Sequence, residues 1–123
     1  MTAQGFTDQG STTSDNLLAG EFPRIAELAT VSGGKYARGT ILGKITARGK
    51  CTICTSAATD GSKDAYAVLA EAVDASEEDK QAVVYLTGEF NAAALTVGSG
   101  LTVDGLKDAL RAKSIFIKNN QAY

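Results

Sequence analysis

The sequence predicts a small, mainly β domain with one short helix. Three observations carry that expectation. Gln81–Leu95 (QAVVYLTGEFNAAAL) holds Val83, Val84, Tyr85, Leu86 and Phe90, the densest cluster of β-branched and aromatic residues in the chain, and reads as a long strand covered on both faces. Short alternating segments are punctuated by Gly39, Gly43 and Gly49, which suggests a strongly bent β-body rather than flat sheets. Convincing helical periodicity is found only after Gly100.

Residues 1–16 are nearly all small or polar, with Phe6 as the one large apolar side chain after Met1. Such a segment buries too little surface to offset its ordering entropy. It is either a frayed terminus or a flexible arm that orders on a partner, and Phe6 followed by Leu17-Leu18 supplies spaced anchors for the second reading. Glu21–Val31 is extended in character, with Ile25 and Val31 on one face and Phe22 and Leu28 on the other. Pro23 lacks an amide donor and places this segment at a sheet edge or strand start. Ser32–Lys35 is a turn.

Thr40–Arg48 alternates through Ile41 and Ile45, and Lys50–Thr55 continues as a strand through Cys51, Ile53 and Cys54. Ser56–Asp64 turns about Asp60-Gly61. Ala65–Ala72 has helical propensity, but Tyr66 and Val68 at period two between turn signals make it a strand. Val73–Lys80 is a charged connection in which Ser76 could cap one helical turn. Gly88 marks a bulge or a close backbone approach in the main strand. Asn91–Ala94 then turns the chain and returns Leu95 and Val97 to the core.

The helix follows, with Thr102 as N-cap, Asp104 in its first turn, and Arg111 and Lys113 at its end. Val103, Leu106 and Leu110 form its apolar stripe. Ser114–Lys118 is a last strand and Asn119–Tyr123 a loose end.

Composition bounds the function. The 123 residues suit one domain, and 44% hydrophobic with 21% charged residues describes an ordinary soluble chain. A net charge of −2 argues against general binding to nucleic acid or anionic membranes. The N-terminus lacks the pattern of a signal peptide, and no apolar run reaches the roughly 18 residues of a membrane span. The cytoplasm is then the expected site of synthesis, where Cys51 and Cys54 would be reduced. Charge is segregated: Lys35, Arg38, Lys44, Arg48 and Lys50 precede Asp60, Asp64, Glu71, Asp74, Glu77, Glu78 and Asp79. These are either two solvated faces or complementary faces that meet head to tail around a rotation axis.

No catalytic set is apparent. The chain has no histidine, the commonest general base and metal ligand. Cys51-x-x-Cys54 lacks the second ligand pair of a structural zinc. Its strand-like flanks point residues i and i+3 to opposite faces, so two small half-buried side chains are a better account than a redox pair. Lys63 sits where lipoyl and biotinyl carriers present a modified lysine, without their flanking motifs. No cofactor or metal is expected, and the chain is not read as an enzyme.

Several stretches, in order, carry a resemblance. They are Asp15-Asn16-Leu17-Leu18-Ala19-Gly20-Glu21-Phe22-Pro23-Arg24, Arg38–Thr46 (RGTILGKIT), Ala57–Ser62 (AATDGS), Leu69–Ala75 (LAEAVDA), Gly88–Leu95 (GEFNAAAL) and Leu110–Phe116 (LRAKSIF). Together they resemble the head decoration proteins of tailed bacteriophages, the lambda D-like group. The first 14 residues carry no part of the resemblance, and Cys51 and Cys54 stand where bulkier residues are expected.

The resemblance implies a β-clip or β-tulip fold. It also implies a homotrimer on the outer capsid surface, at three-fold and quasi-three-fold positions of the expanded shell, that holds the shell against packaged DNA. Its partners would be the major capsid protein and its own copies. On this reading the chain divides into an arm (1–20), a decoration domain (21–118) and a loose end (119–123). Phe6, Leu17, Leu18 and Phe22 would anchor the arm on the capsid, and Arg38 and Lys44 would face Asp74 or Glu78 between copies. A small carrier or binding module displaying Lys63 is the alternative.

Overall fold

One strand touches three others. The computed structural model describes residues 17, 18 and 23–118. Its elements in chain order are β1 (Ile25–Val31), β2 (Lys35–Tyr36), β3 (Ile41–Lys44), β4 (Cys51–Ile53), β5 (Ala65–Leu69), β6 (Val73–Asp74), β7 (Lys80–Asn91), a 3-10 turn (Ala92–Ala94), α1 (Val103–Arg111) and β8 (Ile115–Lys118). Strand β7 pairs antiparallel with β1 and β5, and parallel with β8 along Gly88–Asn91.

The main sheet runs β1-β4-β3-β5-β7-β8, and the additional β1–β7 pairing closes its first five strands into a small barrel. Closure is minimal at one seam, where β1 meets β4 in parallel at Val31↔Cys51 alone. A separate ribbon pairs β2 with β6. The expected small, mainly β domain with a single helix is the fold observed.

Two apolar clusters lie on either side of the barrel wall. One draws Val31, Leu42, Cys51, Ala67, Leu69 and Val84 from all five closed strands, and so fills the barrel. The other packs Ile41, Val68 and Phe90, from the outside of the wall, against Leu106, Leu110, Ile115 and Ile117. Helix α1 and strand β8 therefore form a second layer over one side of the barrel. Thr102 caps the helix by accepting the Gly105 amide at 3.0 Å, and Leu106 and Leu110 are buried as its stripe requires. Ser114, with φ of 65°, turns the chain out of α1 into β8.

Bulges decide which side of the wall a residue reaches. Leu42 pairs with Ala67 and Gly43 with Ala65, so Tyr66 is an extra residue on β5. Ala67 consequently faces the barrel while Ala65 joins the outer cluster. A second shift pairs Ile25 with Thr87 and Ala26 with Tyr85, leaving Leu86 as the extra residue on β7. The expected sharing of a face by Ile25 and Val31 is not found: Val31 is buried and Ile25 is exposed. Leu28 pairs with Val83, so the shift brings Ile25 and Leu28 opposite β7 positions of one parity.

Other expectations are corrected. Val73–Lys80 is not simply a charged connection, because Val73 and Asp74 form β6 opposite Tyr36 and Lys35. Ser76 caps no helical turn; its amide and hydroxyl donate to the Asp74 carboxylate at 3.1 and 2.5 Å. The main strand ends at Asn91, whose side chain accepts the Ala93 amide at 3.2 Å and opens the 3-10 turn. Gly88 is a point of close approach, with φ of 147° and a position where a Cβ would come within 2.9 Å of both the Phe90 ring and Arg24 Cγ.

Candidate functional site

Of the residues singled out from the sequence, those among the described residues have defined places, and chemistry is not what unites them. Cys51 and Cys54 are free thiols, and both are fully rather than half buried. They lie on opposite sides of the wall, Cys51 inside the barrel and Cys54 in the outer cluster, as i, i+3 spacing on a strand dictates. Burial pushes both thiols up; Lys44 partly offsets this at Cys51 and Lys113 at Cys54. A redox cysteine needs the opposite shift. The Cys54 thiol instead donates to the Lys63 carbonyl at 3.1 Å.

That bond belongs to a turn folded down onto the β3–β4 hairpin. The Thr46 amide donates to the Asp60 carbonyl at 2.8 Å, and Ser62 is buried, its amide and hydroxyl donating to the Asp60 carboxylate at 3.0 and 2.6 Å. Gly61 lies so close to Thr46 that a Cβ would come within 2.1 Å of its hydroxyl. The turn is thus tied to the β3–β4 hairpin, and Lys63 within it is exposed.

Among the described residues no group of three or more His, Cys, Asp or Glu side chains could hold a metal ion, and no helix is long and apolar enough to cross a membrane.

Charge separated along the sequence is brought together in the fold. Lys35 stands opposite Asp74 across the β2–β6 ribbon, and the Lys50 ammonium pairs with the Asp79 carboxylate. Arg38 donates to the Ala70 carbonyl at 2.7 Å and lies 6.0 Å from the centre of the Tyr85 ring, tying the β2–β3 corner to the end of β5. The Lys44 ammonium lies 4.9 Å from the centre of the Tyr66 ring. Glu78 accepts from Lys80 at 3.0 Å. Asp74 is held below the usual carboxylate range by its hydrogen bonds from Ser76, with smaller help from Lys35 and Lys80.

The segment read as an arm enters the body at Leu17 and Leu18. The Leu17 carbonyl accepts the Asn91 amide at 2.8 Å, and its side chain, 1% exposed, lies in the outer cluster with Phe90. Leu18 runs antiparallel to β7 opposite Phe90 and is 36% exposed. Phe6 and Phe22 lie outside the described residues.

A family model described as bacteriophage lambda head decoration protein D matches residues 7–115. The chain belongs to the head decoration family. The match takes in residues 7–14, which carry no part of the resemblance, as well as the barrel and helix. No curated protein matches the sequence.

This family is structural rather than enzymatic, which accords with the buried thiols. A decoration protein works through its surface, and here the sequence reading missed two exposed residues, Ile25 and Leu28. Their alternation with Val31 promised burial for at least one of them, and the bulge at Leu86 cancelled it.

Proposed function

We propose that this chain decorates the outer surface of a phage capsid, binding the expanded shell as trimers at three-fold and quasi-three-fold sites and holding it against packaged DNA. The match to the decoration family over residues 7–115 carries this reading. The geometry supports it, because the arm has a firm root. Leu17 is buried in the body and hydrogen-bonded to β7, so a pull on residues before it is transmitted to the longest strand.

In this mechanism Phe6, Leu18 and Phe22 anchor the arm on the major capsid protein; Leu17, expected from the sequence to be a fourth such anchor, is buried in the body and pins the arm to the domain instead. Three arms on one trimer gain avidity, since each bound arm raises the effective concentration of the next. Separating decorated capsomers would expose buried surface at about 25 cal/mol per Å². Contacts of Arg38 and Lys44 with Asp74 or Glu78 would add to the joints between copies. The protein is made in the host cytoplasm and ends on the virion exterior, with no role for nucleic acid or membrane.

Co-sedimentation with expanded, undecorated capsids, titrated to saturation, tests the proposal, with unexpanded capsids as control. The expected outcome is saturation on expanded shells only, at three copies per three-fold position. Absence of saturable binding to expanded shells would refute it.

A further inference from the structure

We infer that the outer face and free edge of β1 form an acceptor site for an extended, uncharged segment of the shell protein, which joins the sheet as an added strand. The inference rests on the decoration reading above.

Strand β1 is an edge for most of its length. It pairs with β7 from Ile25 to Val31, but with β4 at Val31 alone. From Ile25 to Thr30 the side away from β7 has no backbone partner among the described residues. Ile25 is 55% exposed and Leu28 62%, opposite Thr87 and Val83 of β7. Proteins normally blunt a long open edge with lysines, inward charges or a covering element. Ile25–Thr30 contains no lysine and one charge, Glu27.

Size and position choose the occupant. Two half-exposed aliphatic side chains are a small fraction of the roughly 800 Å² per partner that joins folded subunits stably. What β1 offers instead is a row of peptide groups without a backbone partner among the described residues, with apolar contacts beside them, the requirements of strand addition. Sixteen residues precede Leu17, and Leu18 already lies along β7; β1 begins seven residues later. With Leu18 opposite Phe90 and Ile25 opposite Thr87, Leu18 lies beside the start of β1, so a shell contact made next to Leu18 would adjoin this edge. The near-neutral strand favours an uncharged segment, while Lys35 faces Asp74 and Lys50 pairs with Asp79 elsewhere.

The test compares the full-length chain with its Ile25→Ser, Leu28→Ser double variant. Both are titrated onto expanded, undecorated shells, and their melting temperature and solution mass are measured. The expected result is unchanged melting and mass with shell affinity lowered about tenfold or more. In the wild type, amide hydrogen exchange across residues 25–30 should slow on the shell. Unchanged affinity of the variant, or unslowed exchange in the bound wild type, overturns the acceptor site while leaving decoration intact. A fall in the variant's solution mass assigns the face to contacts between copies and also overturns it. A wild type that fails to bind expanded shells overturns both readings.

Discussion

The carbonyl of Leu17 accepts a 2.8 Å hydrogen bond from the amide of Asn91 while the Leu17 side chain packs in the same cluster as Phe90. The point where the N-terminal segment joins the body is thus part of the core. Leu17→Ala is expected to cost about 2–5 kcal/mol, the range for emptying a buried leucine site, whereas Leu18→Ala should cost under about 1 kcal/mol because Leu18 is partly solvated. Urea unfolding of the two variants checks the contrast. Deleting residues 1–14, which spares Leu17, should leave the unfolding midpoint near that of the full chain.

Gly43 and Ser62 impose a steric limit of a different kind. A Cβ on Gly43 would come within 2.1 Å of the Ser62 carbonyl oxygen, and backbone cannot yield as a flexible side chain can. Gly43→Ala should destabilise by up to about 3 kcal/mol, the upper end of what overpacking with backbone displacement costs. Thermal unfolding should show it, with Gly49→Ala as a comparison, because there a Cβ meets only the Lys44 side chain at 3.8 Å. At Gly49 the positive φ of 71° leaves only backbone strain of about 1–2 kcal/mol.

Acid stability should respond to two aspartates that share one motif. Asp60 and Asp74 each accept from the amide and hydroxyl of a serine two residues on, which lowers both below the ordinary value of 3.8. A folded pKa below the unfolded one adds stability that is present above about pH 4 and is lost as pH falls through the folded value. The Asp60→Ala, Asp74→Ala double variant should therefore show a shallower fall in melting temperature below pH 4 than the wild type. Melting curves between about pH 2 and 7 measure this; parallel profiles would contradict it.

The two thiols should be silent in the native protein. Both are buried with their pKa pushed up, so alkylation near pH 8 requires opening of the structure. Mass spectrometry after iodoacetamide should find neither modified in native buffer and both modified in denaturant. Fast labelling of either one in native buffer would show that its side of the wall opens locally.

Local chemistry and periodicity determine a good part of this protein by themselves. Apolar density made Gln81–Leu95 the central stretch, Thr102 and the Leu106–Leu110 stripe marked the helix, and the i, i+3 spacing of Cys51 and Cys54 already put their thiols on opposite faces. These features depend on neighbours within a few residues, so they survive without knowledge of the fold. Tertiary structure decided the rest. The bulges at Tyr66 and Leu86 put Ala65 in the outer cluster and Ile25 on the exposed face, because one extra residue inverts a period of two and its position depends on the partner strand. Pairing of β2 with β6 set Lys35 against Asp74, and the Lys50–Asp79 contact did the same for the remaining charged stretch, although sequence order keeps them apart. Leu17 entered the core because Asn91 and Phe90, more than seventy residues away in the chain, come to lie beside it. Whether an apolar side chain is core or contact surface is a property of what stands opposite it, and that is supplied only when distant strands meet.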